Sequence, residues 1–166
     1  MRTLAAAAIF CASLPAFSMA SEDDFLRSIE GQWTGGGEVL RKLGGEKVKV
    51  TCDMKSDANA SSLSMDGSCR ALVVISRSFK ANVTASGASY SGNYTGISGK
   101  PSKLIGARAG DTIDLDVTWA NEIYGDRKAR MTIQKVGANG LRIRTIDQDP
   151  SSGKTIVTTD LDLRRG

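Results

Sequence analysis

The residue types that most often perform chemistry in enzymes are scarce in this chain. Its 166 residues include no histidine, which excludes Ser-His-Asp and Cys-His arrangements and removes the commonest zinc ligand. Two pairs of carboxylates have the two-residue spacing that places both on one face of a strand, namely Asp114 with Asp116 and Asp160 with Asp162. Such pairs would allow acid–base chemistry, so a carboxylate-based hydrolase is the enzymatic alternative. Because the residues alternating with them are apolar, we expect both pairs to face solvent, and we predict a protein that is not an enzyme and has no catalytic residue, metal or cofactor.

One segment resembles a metal-binding loop. Residues 147–153, Asp-Gln-Asp-Pro-Ser-Ser-Gly, have acidic residues at alternate positions, as calcium-binding loops do. Pro150 interrupts that pattern and no closing glutamate follows, so we interpret the segment as a hairpin turn.

The first 20 residues have the features of a secretory signal peptide. Arg2 precedes an apolar run that ends at Phe17, and Ser-Met-Ala at positions 18–20 is a small-residue cleavage pattern. We expect cleavage near Ala20, a periplasmic or secreted location, and a single domain over residues 21–166.

The expected export bears on the state of the cysteines. Cys11 would leave with the signal peptide, so Cys52 and Cys69 remain as an even pair. Such a pair in an exported chain predicts a disulfide.

Alternation of apolar and polar residues with a period of two predicts strands over most of the domain. The pattern holds for residues 33–39, 48–54 and 63–73. If Cys52 lies opposite Cys69, the other inward pairs are Val48 with Val73, Val50 with Ala71 and Met54 with Gly67. Every pair then joins an apolar residue to an apolar or small one, which supports both the register and the disulfide.

Further strands are predicted at residues 78–84, 89–95, 103–108, 112–119, 129–136, 140–146 and 155–165. Gly137-Ala138-Asn139-Gly140 fits a three-residue hairpin loop with Gly140 in a left-handed conformation. Short strands joined by hairpins in sequence order predict an all-β fold, a single antiparallel up-and-down β-barrel of about 8–10 strands with a short N-terminal helix.

The two ends of the domain have features that would close this barrel. Residues 21–29 begin with the good N-cap Ser21 and three acidic residues, and they place apolar residues on one face, which predicts the helix. Gly31 and Gly35 flank Trp33 and leave room for neighbouring backbone. Arg165 shares the parity of the apolar residues of the last strand, so we expect its guanidinium to stack on the Trp33 indole and join the first strand to the last.

A helix, then Gly-x-Trp at Gly31 and Trp33, then a barrel that ends in Arg165, is similar to the calycin group. This group includes lipocalins, avidins and small bacterial periplasmic metalloprotease inhibitors. The mature chain also resembles a type of exported protein from alphaproteobacteria with Gly-x-Trp-x-Gly, one cysteine pair and a terminal Leu-Arg-Arg, a resemblance that implies no activity.

Aromatic residues predict where a ligand would bind if the barrel is hollow. Trp119 with Tyr90 or Tyr94 would border such a lumen, and many other inward residues are small. Two alternatives stay open, a flattened barrel filled by aliphatic side chains and a barrel with a lumen for a small ligand.

The net charge of +4 says little about partners. Basic residues are not interleaved with aromatic ones, so we expect no nucleic-acid partner. Arg130, Arg142 and Arg144 would share an outer face, but Asp160 and Asp162 lie near enough to predict a salt-bridged wall. Charged residues on the outer faces of the strands also indicate that the barrel does not span a membrane.

Two functions from different classes follow from these patterns. The first is an exported, non-enzymatic barrel that binds a small apolar or amphipathic ligand or an envelope component. The second is a protein-interaction module such as a periplasmic protease inhibitor, because the inhibitors that the chain resembles also combine Gly-x-Trp with one disulfide. Those inhibitors act through an N-terminal segment inserted into a protease cleft.

Overall fold

The computed structural model of the protein describes residues 21–72 and 75–166. The predicted signal peptide, with Cys11, lies outside the described residues. Val73 also lies outside them, so its predicted pairing with Val48 is not described.

The described chain forms one helix and ten strands. Their order is α1 (Glu22–Ile29), β1 (Gly31–Leu40), β2 (Lys47–Asn59), β3 (Ser62–Ala71), β4 (Ile75–Ser86), β5 (Ser89–Thr95), β6 (Pro101–Ala109), β7 (Thr112–Ile123), β8 (Asp126–Val136), β9 (Gly140–Gln148) and β10 (Thr155–Arg165). Each strand pairs antiparallel with its neighbours in sequence, and β1 also pairs with β10, which closes the sheet. The predicted up-and-down barrel with a short N-terminal helix is confirmed.

The two ends of the barrel differ. At the helix end, α1 leads into β1, and the connections between β2 and β3, β4 and β5, and β6 and β7 are only two residues each, with three between β8 and β9. The other connections lie at the opposite end, which we term the open end, and most of them are longer. Loop length is therefore concentrated where a ligand or partner would most easily be accommodated.

The disulfide and the strand register agree as predicted. Cys52 and Cys69 are bonded with an S–S distance of 2.04 Å. Val50 lies opposite Ala71, and Met54 lies opposite Gly67. The disulfide therefore links β2 to β3 at the register that the alternation requires.

One predicted loop detail is wrong. The connection between β8 and β9 has three residues, but the left-handed glycine is Gly137, with a φ of 60°, and Gly140 does not have a positive φ. Gly140 instead begins β9 and pairs with Val136, and a Cβ there would lie 2.5 Å from the Val136 carbonyl oxygen.

Helix α1 covers the helix end of the barrel. The Ser21 side chain accepts a hydrogen bond from the Asp24 amide at 3.1 Å, which satisfies one free donor of the first turn. Phe25, Leu26 and Ile29 form the apolar face, and all three are buried in the barrel core. Because these three side chains are removed from water, the helix is part of the packed structure.

Arg165 joins β10 to β1 and to α1. Its guanidinium carbon lies 4.7 Å from the centre of the Trp33 ring, which confirms the predicted stacking. The same guanidinium donates to the carbonyl oxygens of Glu30 at 2.5 Å and Ser28 at 2.8 Å, at the C-terminal end of the helix. A positive charge at this end of a helix complements both its free carbonyls and its dipole.

Strand β1 approaches its neighbours closely because it is rich in glycine. A Cβ at Gly35 would lie 2.2 Å from the Asp162 carbonyl oxygen of β10, and one at Gly37 would lie 1.9 Å from the Asp160 oxygen. No side chain fits at these distances, so the glycines are needed for the closing strand pair.

The outer wall is salt-bridged, as predicted. Arg142 contacts Asp160 and Asp162 at 2.8 and 3.7 Å. Arg144 also contacts Asp160, and Arg130 pairs with Asp114. These carboxylates are therefore paired with arginine side chains on the outer surface.

We predict that removing Arg165 destabilises the protein. Arg165→Ala loses the ring contact, worth about 0.5–2 kcal/mol, and the hydrogen bonds to the helix, so the free energy of unfolding should fall by about 1–3 kcal/mol. Urea denaturation followed by tryptophan fluorescence measures this change in the free energy of unfolding. Arg164→Ala is the matched control, because Arg164 is the exposed, outward-facing neighbour. Equal losses in both variants would contradict the role of Arg165.

The disulfide gives a second stability prediction. Its 17-residue separation corresponds to about 3 kcal/mol in the chain-entropy account of cross-links. The free energy of unfolding of the double variant Cys52→Ala/Cys69→Ala, measured by urea denaturation, should be lower than that of the wild type by that amount. The wild-type protein treated with a reductant should show the same loss. Unchanged denaturation midpoints in both samples would show that the bond does not stabilise the fold.

Candidate ligand-binding site

The half of the barrel nearest the open end contains a cavity of about 530 Å³. Its walls come from strands on all sides of the barrel and are mainly apolar, including Val39, Met65, Phe79, Met131, Ile143 and Leu161. The mouth is formed by Leu72, Ile97, Ile123 and Tyr124, and the Tyr124 hydroxyl donates to the Leu40 carbonyl across it.

Small inward residues contribute to the position of the cavity in this half. Near the helix end, large side chains fill the interior, among them Leu26, Ile29, Trp33, Leu104 and Leu163, all essentially inaccessible to solvent. Nearer the open end, the inward positions include Ala71, Ala81 and Thr145. Both alternatives from the sequence are therefore met in part, because one half of the barrel is filled and the other is hollow.

Two of the three predicted ligand-contacting aromatic residues line the cavity. The Tyr94 and Trp119 rings meet edge to face, with centres 5.9 Å apart, and the Phe79 ring stacks against Tyr94 with centres 6.4 Å apart. Tyr90 lies elsewhere, at the helix end, where its hydroxyl donates to the Glu22 carboxylate at 2.6 Å.

Glu22, Tyr90 and Arg108 form a closed cluster with the helix. The Arg108 guanidinium holds the Glu22 carboxylate at 2.7 Å and lies 4.6 Å from the centre of the Phe25 ring. The hydrogen bond from Arg108 keeps the pKa of Glu22 below its ordinary value. This cluster fixes α1 on the barrel and has no connection with the cavity lining.

A buried polar corner interrupts the apolar wall. Asp147 is only 3% exposed, and one of its oxygens accepts a hydrogen bond from the Thr158 hydroxyl at 2.7 Å. Its other oxygen, Oδ1, and the Trp119 indole nitrogen are both buried and lack a hydrogen bond of ordinary geometry within residues 21–72 and 75–166, although the indole lies close enough to the Asp147 carboxyl to lower its pKa. An acceptor and a donor are therefore present together at the cavity wall, and a ligand that satisfies them would remove an energetic cost.

Burial controls the protonation of this corner. It raises the pKa of the Asp147 carboxyl, and the charge of Asp126 raises it further, while the Thr158 hydroxyl and the Trp119 indole act in the opposite direction. Burial also raises the pKa of Tyr94. A neutral or ionised Asp147 can accept from a hydroxyl, amide or amine of a ligand, and the ionised form can pair with a cation.

Sequence reasoning missed Asp147 because it placed this residue in a turn. Strand β9 extends to Gln148, two residues beyond its predicted end, and its buried residues are Leu141, Ile143, Thr145 and Asp147. The turn itself is confirmed but begins at Asp149, whose carboxylate accepts from the Ser151 amide at 2.9 Å and from the Ser152 hydroxyl at 2.9 Å. The signal that could have found it is the alternation of β9, because Asp147 continues the series of inward residues Leu141, Ile143 and Thr145.

A second depression lies on the outer wall beside Gly37, Thr51 and Arg70. Its volume is larger, about 690 Å³, but it is shallow and widely open to solvent. Enclosure decides how much of a ligand is removed from water, so we assign the candidate site to the interior.

Other site types find little support in the part of the chain that the structure describes. No three acidic or cysteine side chains there are grouped as metal ligands. None of the described helical segments is long and apolar enough to cross a membrane. No model of a known protein family matches the chain, and no curated protein matches it.

We predict a specific pH dependence from Asp147. Its folded carboxyl keeps a proton at higher pH than the unfolded one, so the folded state binds more protons in that interval and stability falls as pH rises from 3.8 through the raised pKa. Asp147→Asn cannot titrate. The free energy of unfolding of the wild type, relative to Asp147→Asn, should therefore decrease as pH rises above about 4.

The control for this experiment has the opposite sign. Hydrogen bonds from Ser151 and Ser152 lower the pKa of Asp149, so its contribution to stability is lost as pH falls. Wild type relative to Asp149→Asn should become more stable, or stay constant, as pH rises. Urea denaturation between about pH 3.5 and 7 covers both windows. Parallel curves for the two variants would contradict the burial of an unpaired carboxyl at position 147.

Proposed function

We propose that the protein binds a small, largely apolar molecule in the cavity of its barrel and does not transform it chemically. The observation that carries this proposal is the cavity itself, of about 530 Å³, with apolar walls and one polar corner. Ligand sites of proteins commonly have about 300–1,000 Å³ and combine apolar walls with few polar groups.

The shape of the cavity suits a carrier. Helix α1 and the packed half of the interior close one end, so a molecule enters and leaves through the open end. Burying apolar surface contributes about 25 cal/mol for each Å², and the unpaired groups of Asp147 and Trp119 would orient a ligand that has a hydrogen-bond donor, an acceptor or both. The ligand class is therefore apolar with one polar group.

The resemblance to calycins agrees with this proposal. Gly31, Trp33 and Arg165 carry that resemblance, and their contacts close the barrel at the end away from the cavity. Small barrels of this kind, such as lipocalins, hold one small ligand in their interior. An exported, periplasmic or secreted location, proposed from residues 1–20, would place such a carrier in the envelope or outside the cell.

The alternative of a protease inhibitor has less support. The inhibitors in question insert an N-terminal segment into a protease cleft. In this protein the corresponding segment is α1, which buries Phe25, Leu26 and Ile29 and is tied to β6 through Glu22 and Arg108. Releasing it would expose the barrel core, so we do not propose this function.

A cavity-filling substitution tests the proposal. Ala81 lines the cavity and is 7% exposed, so Ala81→Phe places a ring inside it. N-phenyl-1-naphthylamine, a neutral apolar amine whose fluorescence rises in apolar surroundings, serves as the probe. We expect the wild type to bind it and Ala81→Phe to bind at least about tenfold more weakly, a difference of about 1.4 kcal/mol.

Asn82→Phe is the matched control. Asn82 follows Ala81 in β4 and faces outward, so the same ring is added outside the barrel and affinity should stay within about twofold of wild type, or about 0.4 kcal/mol. Thermal unfolding of all three proteins confirms that each is folded. Absence of probe binding to the wild type, or equal losses in both variants, would contradict the proposal. Native mass spectrometry of the protein purified without refolding would then show whether a ligand is retained.

A further inference from the structure

Exposed apolar residues are unevenly distributed over the surface. The large apolar side chains that are most exposed among the described residues are Leu72 at 66%, Ile97 at 77%, Ile123 at 36%, Ile105 at 47% and Val136 at 49%. Ile105 lies on the outer wall and Val136 at the helix end. The remaining three, Leu72, Ile97 and Ile123, all belong to the open end.

These three residues surround the cavity mouth. Leu72 follows β3, Ile97 lies in the connection after β5 and Ile123 ends β7, so three separate segments at the open end contribute one exposed apolar side chain each. All three also line the cavity, and Leu72 in addition borders the depression on the outer wall. We call Leu72, Ile97 and Ile123 the apolar rim.

The backbone at Leu72 supports a role for this side chain. Its φ of 50° lies in the left-handed region, which glycine adopts freely and a leucine rarely does. Because the Leu72 side chain is largely exposed, it does not offset the cost of this backbone conformation by packing in the core. Such strained positions occur most often at functional surfaces.

The apolar rim is accompanied by exposed basic residues from every connection at the open end or the strand beginning next to it. These are Arg41, Lys42, Lys47, Arg77, Lys100, Arg127, Lys128 and Lys154. Fewer carboxylates share this end, namely Glu46, Glu122, Asp126 and Asp149. The helix end is more evenly balanced, because the three acidic residues that begin α1 share it with basic residues such as Arg27, Arg164 and Arg165. The protein therefore has a basic open end.

Apolar side chains at loop tips with basic residues around them are the arrangement by which a protein attaches to the surface of an anionic bilayer. Apolar side chains insert at the level of the headgroups, and Lys and Arg are attracted to the negative surface potential. A protein partner that covered the rim would have to match a mouth that opens into a hollow interior. A bilayer needs no such match, and it also provides apolar molecules at the opening.

We propose that the open end docks on an anionic phospholipid surface, with Leu72, Ile97 and Ile123 inserted between the headgroups and the basic residues held at the phosphate layer. The cavity mouth then faces the bilayer interior directly. This surface role is independent of whether the cavity holds a ligand, since it depends on the rim and its charges.

Vesicle sedimentation tests docking. The purified protein is mixed with vesicles of phosphatidylcholine containing phosphatidylglycerol, and separately with vesicles of phosphatidylcholine alone. We expect at least about tenfold tighter binding to the anionic vesicles, and a loss of most of this binding in high salt, which screens exposed charges. Equal binding to both vesicle types, or no binding to the anionic ones, would overturn the proposal.

Two matched double variants locate the surface. Leu72→Ser/Ile97→Ser removes two residues of the rim, whereas Ile105→Ser/Val136→Ser removes two similarly exposed apolar residues elsewhere. The rim variant should bind anionic vesicles at least about tenfold more weakly, while the control stays within about twofold of wild type. A control variant as weak as the rim variant would overturn the assignment.

The cavity-filling variant separates this inference from the proposed function. Ala81→Phe changes only the interior, so it should bind anionic vesicles as tightly as wild type even though it loses the fluorescent probe. Loss of vesicle binding in Ala81→Phe would overturn an independent docking surface. If the wild type binds vesicles but does not bind the fluorescent probe, docking is supported and only the carrier function is contradicted.

Discussion

The contact between Trp33 and Arg165 is the interaction on which the rest of the barrel depends. It lies where the first strand pairs with the last, and the register places the two residues directly opposite each other. Without this pairing, β1 and β10 would each present a free edge of unpaired backbone groups. The same guanidinium also binds the carbonyls of Ser28 and Glu30 at the end of α1, so closure of the sheet and closure of one barrel end depend on one side chain.

This constraint divides the interior into two parts. The Trp33 indole nitrogen donates to the Ile29 carbonyl and to Ser56, which ties the ring to both the helix and β2. Large apolar side chains pack around this centre, whereas the half nearer the open end includes small inward residues such as Ala71 and Ala81 and is hollow. Packing in the filled half offsets the cost of burying the unsatisfied polar groups of Asp147 and Trp119.

The sequence predicted the fold well because the signals were local. Alternation defined the strands, and the pair Cys52 and Cys69 set the register of one hairpin, from which the facing residues followed. Trp33 and Arg165 could be matched because each belongs to an end of the chain where few other residues have the right chemistry. Even so, β4 and β7 extend beyond their predicted ends, since tertiary pairing continues where local patterning becomes weak.

The site was harder to predict, for physical reasons that differ between residues. Tyr90 and Tyr94 share one parity in β5, but four residues span about 13 Å along a strand, so parity could not show that one reaches the helix end and the other the cavity. Asp147 precedes a segment of typical turn residues, and this composition outweighed its inward position in β9. The cavity volume depends on how side chains from distant strands meet, which no local pattern records.

The up-and-down topology has a consequence for the order in which the chain can fold. Nearly every strand pairs with the strand before it, so these ladders require only short chain closures. The exception is β1 with β10, where Arg165 binds a carbonyl 135 residues away. A chain synthesised from its N-terminus can form most of its hairpins early. The barrel cannot close until the final residues of β10 have left the ribosome. Until then the edges of the unclosed sheet remain open to pairing with other chains.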